Sequence, residues 1–198
     1  MLFLGISGSL RADSLNTALL RAAAGYLPPA ARMSLHTDLA LVPPYSEDHD
    51  VEPVPAPVER LRSGIETADA LLIATPEYNG SIPGQLKNAL DWASRPYPDN
   101  ALRHKPVAVI GASTGLFGAI WAQADLKKVL ATAGAHVLDD ELSIGTADDA
   151  FRDDDTLADP EPGARLQQIV HNLMDHAVRR GLHVGPPATH SVTVGLRR

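Results

Sequence analysis

Cysteine is entirely absent from this chain of 198 residues. That absence excludes disulfides, cysteine-ligated zinc and thiol catalysis, so any redox chemistry of the chain requires a cofactor. A cysteine-free composition is compatible with a cytoplasmic location, which is the location we expect. The 8 histidines show no paired spacing along the chain and are interpreted as surface or core residues rather than metal ligands.

Positively charged residues are also fewer than negatively charged ones. Lys and Arg total 17 against 24 Asp and Glu, which gives a formal net charge of -7. Because phosphate backbones require a basic surface, we expect no nucleic-acid partner. The acidic segment 145–163 lacks the glycine and terminal glutamate of an EF-hand loop, so it is interpreted as a solvated loop without a metal.

Long hydrophobic runs are missing as well. Hydrophobic residues make up 44% of the chain, yet no apolar run approaches the ~20 residues of a membrane-spanning helix. The apolar segment 1–6 carries no Lys or Arg and ends at Ser7, so we expect neither a signal peptide nor a membrane span.

The sequence does contain a regular alternation of strand-like and helix-like segments. The predicted strands are 2–6, 33–36, 70–74, 107–111 and 136–144, and the predicted helices are 15–26, 58–67, 83–94, 117–133 and 166–180. We therefore predict one domain over residues 1–181 and, over residues 182–198, either an arm or a disordered tail.

This alternation predicts a doubly wound, three-layer α/β fold, in which helices cover both faces of a five-stranded parallel sheet. The pattern alone does not distinguish a five-strand order from a truncated dinucleotide-binding order. In both, ligands bind at the carboxyl ends of strands, so the loops at those ends form the candidate site.

The first such loop, Gly5–Asn16, offers short polar side chains and one cation. Taken singly, Ser14 is best interpreted as a helix N-cap and Ser9 as a turn residue. Their grouping with Arg11 at a helix N-terminus favours a phosphate instead. The loop lacks both the Walker A ending and the G-x-G-x-x-G fingerprint, which indicates a mononucleotide.

The second and third loops suit a flat ligand. The second combines stiffening proline, a carboxylate, an aromatic ring, an amide and a glycine, in the order Pro76, Glu77, Tyr78, Asn79, Gly80. Taken singly, Glu77 is equally well interpreted as a surface charge and Tyr78 as a solvent-facing ring as either is interpreted as part of a ligand site. The third loop, 111–118, is rich in small residues, and we expect its amides to stabilise negative charge. The alternative for this loop is a glycine-rich turn that such folds need anyway.

Three segments together carry a family resemblance: Gly8-Ser-Leu-Arg-x-x-Ser-x-Asn16, Thr75-Pro-Glu-Tyr-Asn79 and Ser81-Ile-Pro-Gly-x-Leu-Lys-Asn-Ala-Leu-Asp-Trp92. In order and spacing, residues 2–180 resemble the NADPH-dependent FMN reductase family, which includes bacterial quinone, chromate and azo-dye reductases. The resemblance implies a flavodoxin-like fold with strand order 2-1-3-4-5 and non-covalently bound FMN.

The resemblance also implies flavin contacts. The FMN phosphate is expected at the stretch matching Ser9, Leu10, Arg11, Ser14 and Asn16. The isoalloxazine ring is expected along Pro76, Glu77, Tyr78, Asn79 and Gly80, with Ser113 as a further contact. The chain departs from the family at Gly80, where a larger residue is frequent, and at Ala119, where a second glycine is frequent. Both departures affect access over the flavin.

The activity that the resemblance implies is a ping-pong oxidoreductase reaction. NAD(P)H gives hydride to flavin N5 and leaves, and a quinone, flavin, azo dye or metal oxyanion then takes the electrons. The flavin carries the chemistry, so no catalytic side chain and no metal are expected. Two alternatives are a flavodoxin-like electron carrier and a flavin-linked sensing module, neither of which would turn over NAD(P)H.

The resemblance further implies a homodimer or homotetramer. The segment 41–57 and the helix that carries Trp92 are candidates for its apolar surface. The alternative for Trp92 is a place in the core of the monomer.

Overall fold

Strands and helices alternate through residues 1–181, which are the residues that the computed structural model describes. The predicted tail, 182–198, lies outside them. The strands are β1 (Leu2–Ser7), β2 (Arg32–His36), β3 (Ala70–Ala74), β4 (Pro106–Ala112), β5 (His136–Val137) and β6 (Ser143–Ile144). The helices are α1 (Leu15–Ala24), α2 (Ala56–Thr67), α3 (Gly84–Ala93), α4 (Ile120–Thr132) and α5 (Pro160–Gly181).

All strand pairs of the sheet are parallel, and the order is β2-β1-β3-β4-β5, with β6 also paired to β4. This confirms the predicted flavodoxin-like order 2-1-3-4-5. The single strand predicted over 136–144 is instead two short strands. Between them, Asp140 forms an ion pair with Arg165, and Glu141 forms one with Lys127. These two side chains thus pair with residues of α4 and α5.

The two central strands, β3 and β4, are buried along their whole length. Their side chains alternate between two cores. Leu71 and Ile73 pack with α2, α3 and α4, whereas Leu72 packs with α1 and α5. A strand with helices on both faces has no polar side, which explains the continuous apolar runs in the sequence.

Helices α4 and α5 begin three and six residues away from the predicted starts at 117 and 166. Helix α4 starts at Ile120 rather than at residue 117, because Gly118 (φ 57°) and Ala119 (φ 63°) both have the left-handed conformation. Helix α5 starts at Pro160 and so includes the end of the acidic segment. The carboxylate of Asp159 accepts a hydrogen bond from the Glu161 amide (3.0 Å), and proline is favoured in the first helical turn.

Helix α3 holds the proline-rich segment 39–50 in place. Along one side of the helix, Gln85 donates to the Val42 carbonyl (2.8 Å), and both Asn88 and Trp92 donate to the Pro43 carbonyl (2.8 Å each). Trp92 has no exposed surface. It therefore belongs to the core of the monomer, which decides between the two interpretations that the sequence left open.

A second anchor of this segment is Arg62 on α2. Its Nη2 lies 2.8 Å from Asp50 Oδ1 and also donates to the Trp92 carbonyl at the end of α3 (2.8 Å). Both ion-pair partners are largely buried, with 13% and 14% of their side chains exposed. Arg62 thus satisfies a helix-terminal carbonyl and a carboxylate at once.

Three histidines that are distant in the sequence come together at the amino-terminal end of the sheet. His104 Nδ1 and His136 Nε2 are 3.2 Å apart, and the ring centroids of His136 and His176 are 6.3 Å apart. Burial and the nearby Arg180 lower the pKa of both His136 and His176. Within residues 1–181, no three His, Asp or Glu side chains have an arrangement that holds a metal.

None of the helices within the described residues combines the length and the apolar character that crossing a membrane requires.

We predict that Arg62→Met lowers the free energy of unfolding by about 2–3 kcal/mol, since it leaves the largely buried Asp50 carboxylate without its ion-pair partner. Urea unfolding followed by circular dichroism measures this. The matched control is Arg60→Met on the same helix, because the ion pair of Arg60 with Asp38 is largely exposed. Equal midpoints for the two variants would contradict the anchoring role of Arg62.

Candidate functional site

The loops that follow β1, β3 and β4 meet at one edge of the sheet. We call them the β1 loop (8–14), the β3 loop (75–83) and the β4 loop (113–119). Backbone pairing continues past the strand ends and holds the first two together, since Gly8 N donates to Ala74 O (2.8 Å) and Thr75 N donates to Ile110 O (3.0 Å). This is the edge where doubly wound folds bind ligands.

A cavity of about 110 Å³ lies between the three loops. It is lined by Ser9, Arg11, Ser14, Leu15, Asn16, Pro76, Glu77, Tyr78, Ala112, Ser113 and Thr114. Every residue predicted for the site is among them except Leu10, Asn79 and Gly80. Leu15, Ala112 and Thr114 were not predicted individually, although each lies within a loop predicted to form the site.

The hydroxyls of the β1 loop shape its backbone. Ser14 Oγ accepts from Thr17 N (3.2 Å) as the N-cap of α1, and Ser9 Oγ accepts from Arg11 N (3.4 Å). The first turn of α1 contains no acidic residue. The guanidinium of Arg11 is exposed and forms no ion pair within residues 1–181. Arg11 lines the cavity whereas Asp13, the other charged residue of the loop, does not, so this side of the cavity is suited to an anion.

Asn16 joins the β1 loop to the end of β4. Its Nδ2 donates to the Ala112 carbonyl (2.9 Å), and its Oδ1 accepts from the Ala112 amide (3.0 Å). The side chain is buried, so these two bonds satisfy backbone groups that water does not reach. One N–H and one lone pair of the amide remain for a ligand.

Asn79 and Gly80 form the tip of a tight turn in the β3 loop. Tyr78 and Ser81 exchange backbone hydrogen bonds of 3.0 and 3.2 Å across it. The φ angles of Asn79 (55°) and Gly80 (76°) are both positive, as a type I′ turn requires. A Cβ at Gly80 would meet no atom within 4 Å, so conformation rather than close approach explains this glycine.

Glu77 links the β3 loop to helix α4. Its Oε2 accepts from Trp121 N (3.1 Å) and from Ala122 N (3.3 Å), the first-turn amides of the helix. The preceding residue Ala119 provides no side-chain cap, so Glu77 takes that role. The amides of Trp121 and Ala122 are thus occupied by a carboxylate of the protein, whereas the amides that we expected to stabilise negative charge belong to residues 111–118 and are not bound by Glu77.

The β4 loop is held by its contact with β6. A Cβ at Gly118 would lie 2.5 Å from the Ser143 carbonyl carbon, and one at Gly145 would lie 2.1 Å from the Leu116 carbonyl oxygen. Only glycine permits this backbone-to-backbone contact. The Ser113 hydroxyl accepts from Gly115 N (2.9 Å) and stabilises the turn. Sequence reasoning missed the role of residues 143–145, for which Gly145 was the available signal.

The resulting site is asymmetric. Arg11 and the open N-terminus of α1 make the β1 side positive, whereas Glu77 has neutralised the helix terminus on the β4 side. The ring of Tyr78, which is 47% exposed, borders the cavity between them. A ligand with an anionic end and a flat, largely uncharged end matches this arrangement, as FMN does.

Comparison with known proteins identifies the family. The family model described as NADPH-dependent FMN reductase matches residues 1–149. An NAD(P)H-dependent FMN reductase of Pseudomonas aeruginosa is 46% identical over 171 residues, which cover 86% of this chain and 91% of that protein. A quinone reductase of Pseudomonas putida is 36% identical over 155 residues, which cover 78% and 83% of the two chains.

The solved structures agree. FerB of Paracoccus denitrificans, a flavoenzyme NAD(P)H:(acceptor) oxidoreductase, superposes with a TM-score of 0.82 at 37% identity and covers 90% of this chain and 97% of its own. The chain belongs to the NADPH-dependent FMN reductase family.

Proposed function

We propose that the chain is an FMN-dependent NAD(P)H oxidoreductase that reduces a small-molecule acceptor in a ping-pong reaction. The observation that carries the proposal is the asymmetric cavity between the three loops, with Arg11 at one end and Tyr78 at the other. Similarity to relatives named as NAD(P)H-dependent FMN reductase and quinone reductase supports it. Since NAD(P)H is a cytoplasmic reductant, the proposal includes a cytoplasmic location.

The FMN phosphate is assigned to the β1 loop. The Arg11 guanidinium supplies a mobile positive charge, and the first amides of α1 point their N–H groups to the same place. Ser9 and Ser14 line this end of the cavity and each retain a hydroxyl proton to donate. Leu10, which does not line the cavity, contributes at most its backbone.

The flavin ring is assigned to the space beside Pro76, Tyr78 and Ser113. When bound, FMN accepts and delivers hydride equivalents. Asn79 and Gly80 act on this region indirectly, because their turn sets the direction of the Tyr78 ring. Glu77 is assigned no proton transfer, since its carboxylate is committed to the amides of α4.

A test of the activity is FMN uptake followed by turnover. We expect the purified protein to show visible flavin absorbance after incubation with FMN and gel filtration. NADPH or NADH oxidation with menadione should then give parallel lines in double-reciprocal plots. FMN uptake without NAD(P)H turnover would instead favour an electron carrier, and a protein that takes up no FMN would overturn the proposal.

A second prediction concerns the phosphate end. Arg11→Ala should weaken FMN binding about 10- to 100-fold, because a charge-assisted hydrogen bond to phosphate is lost. Riboflavin lacks the phosphate, so its affinity should be the same in the variant and in the unmodified protein. Fluorescence titration measures both. Arg21→Ala, at the opposite end of α1, is the matched control. An equal loss for both flavins would contradict this assignment.

We further propose that the protein forms a homodimer or homotetramer through the face made by α3 and α4. A groove of about 820 Å³ runs between these helices. It presents apolar Leu90 and Val129 beside the cations Lys87 and Lys128 and the anions Asp91 and Asp125. A surface that carries both signs of charge is able to complement a second copy of itself. Tyr97, 79% exposed, stands at its border.

Light scattering at several concentrations tests this assignment. We expect a mass of two or four times the 21.0 kDa of one chain. Tyr97→Asp should shift the protein towards the monomer, because it removes an exposed aromatic ring from the assigned interface and introduces a charge that must be desolvated there. Val178→Asp, a control at an exposed apolar position on α5, should leave the mass unchanged. A monomer at all concentrations would overturn the assignment.

A further inference from the structure

An unusually apolar surface adjoins the cavity on its β4 side. Four of the six residues between 116 and 121 are large and apolar, and all four are exposed: Leu116 (73%), Phe117 (58%), Ile120 (44%) and Trp121 (51%). Together with Tyr78 they are called the apolar rim. Exposed apolar side chains gathered in one place, rather than scattered, indicate a binding surface.

The rim is continuous with the cavity. Thr114, which lines the cavity, precedes Leu116 by two residues. Trp121 N lies 3.1 Å from the carboxylate of Glu77, which is the chain neighbour of Tyr78. Because β4 and β1 lie on opposite sides of β3 in the sheet, the rim stands opposite the positive β1 loop. A ligand at the rim is therefore beside the end of the cavity assigned to the flavin ring.

The rim is held in position before any ligand arrives. The rings of Phe117 and Trp121 meet edge to face, with centroids 5.0 Å apart and an interplanar angle of 69°. Gly118, between them, is fixed by its close contact with Ser143, and Glu77 holds the first turn of α4. Because these side chains are already held in place, binding a ligand costs little conformational entropy, and this favours affinity.

The chemistry of the rim selects among acceptors. Its side chains offer aromatic faces and aliphatic surface, and the charged groups beside it, Glu77 and Asp125, are both acidic. A hydrated oxyanion finds among the rim side chains no positive charge and only two isolated donors, the Tyr78 hydroxyl and the Trp121 indole N–H. An uncharged, planar aromatic molecule finds a surface on which it can stack.

We propose that the apolar rim binds a planar aromatic acceptor of the quinone class, with Phe117 and Trp121 as its stacking surface. This inference rests on the proposed function and adds the residues that determine acceptor preference. Phe117 and Trp121 act in binding the acceptor. They belong neither to the assigned phosphate site nor to the cavity lining.

The chain contains 2 tryptophans, which permits a direct binding test. Trp92 is fully buried and Trp121 is half exposed, so the difference in emission between the unmodified protein and Trp121→Phe reports on Trp121 alone. The FMN-loaded protein is titrated with menadione without NAD(P)H, so that no turnover occurs. We expect saturable quenching of Trp121. Phe117→Ala should raise the midpoint about five- to tenfold, as loss of one aromatic contact implies.

Steady-state kinetics provide a second test of the proposal. Trp121→Ala should lower kcat/KM for menadione about tenfold, mainly through KM, and should lower it much less for ferricyanide, a hydrated anion without an apolar face. Val178→Ala, an exposed apolar position on α5, is the matched control for both arms. Circular dichroism checks that each variant is folded.

The possible outcomes separate the two proposals. FMN uptake and ferricyanide turnover test the proposed function without involving the rim. If both are present but menadione does not quench Trp121, or if the variants lose both acceptors equally, the rim does not select the acceptor. If Phe117→Ala or Trp121→Ala changes the mass in light scattering, a second copy of the chain covers the rim and the inference is also overturned.

Discussion

The backbone of the two central strands has no access to water, and the satisfaction of its hydrogen bonds is the constraint on which the rest of the structure depends. β3 and β4 are buried at every residue, so their amides and carbonyls must pair within the sheet. The parallel ladder achieves this and is extended beyond the strand ends by the bond from Thr75 N to Ile110 O. Where the ladder ends, side chains provide the hydrogen-bond partners. The Asn16 side-chain amide binds both the amide and the carbonyl of Ala112, the last residue of β4.

The same need for partners gives the site its polarity. Helices α1 and α4 begin directly after two loops that line the cavity, and the amino-terminal ends of both would attract an anion. Of these two, only α1 remains available, because Glu77 from the neighbouring loop occupies the amides of α4. A single carboxylate therefore makes the two ends of the site chemically different. Glu77 does so by capping α4, and it is assigned no proton transfer.

Much of the fold and of the site was predictable, since it depends on local patterns. Buried strands appear as apolar runs, and the motifs around Arg11 and Tyr78 mark the loops at their ends. The errors have physical causes. Left-handed Gly118 and Ala119 delay α4, and the last predicted strand is divided into two short strands with the ion-paired Asp140 and Glu141 between them. The histidines show no paired spacing in the sequence, yet the fold brings His104 and His136 together.

By itself the sequence determined the α/β alternation, the loops that form the ligand edge and the residue types they present, because each of these follows from neighbouring residues. The tertiary structure alone decided which polar groups meet. Asn16 and Ala112 are 96 positions apart, and Glu77 and Trp121 are 44 apart, so no local pattern encodes either contact. Those contacts determine that Glu77 caps a helix and that the first turn of α4, which carries Trp121, lies beside the cavity. Residues so distant in the chain become neighbours only because burial of the central strands brings the ends of these strands to one edge of the sheet.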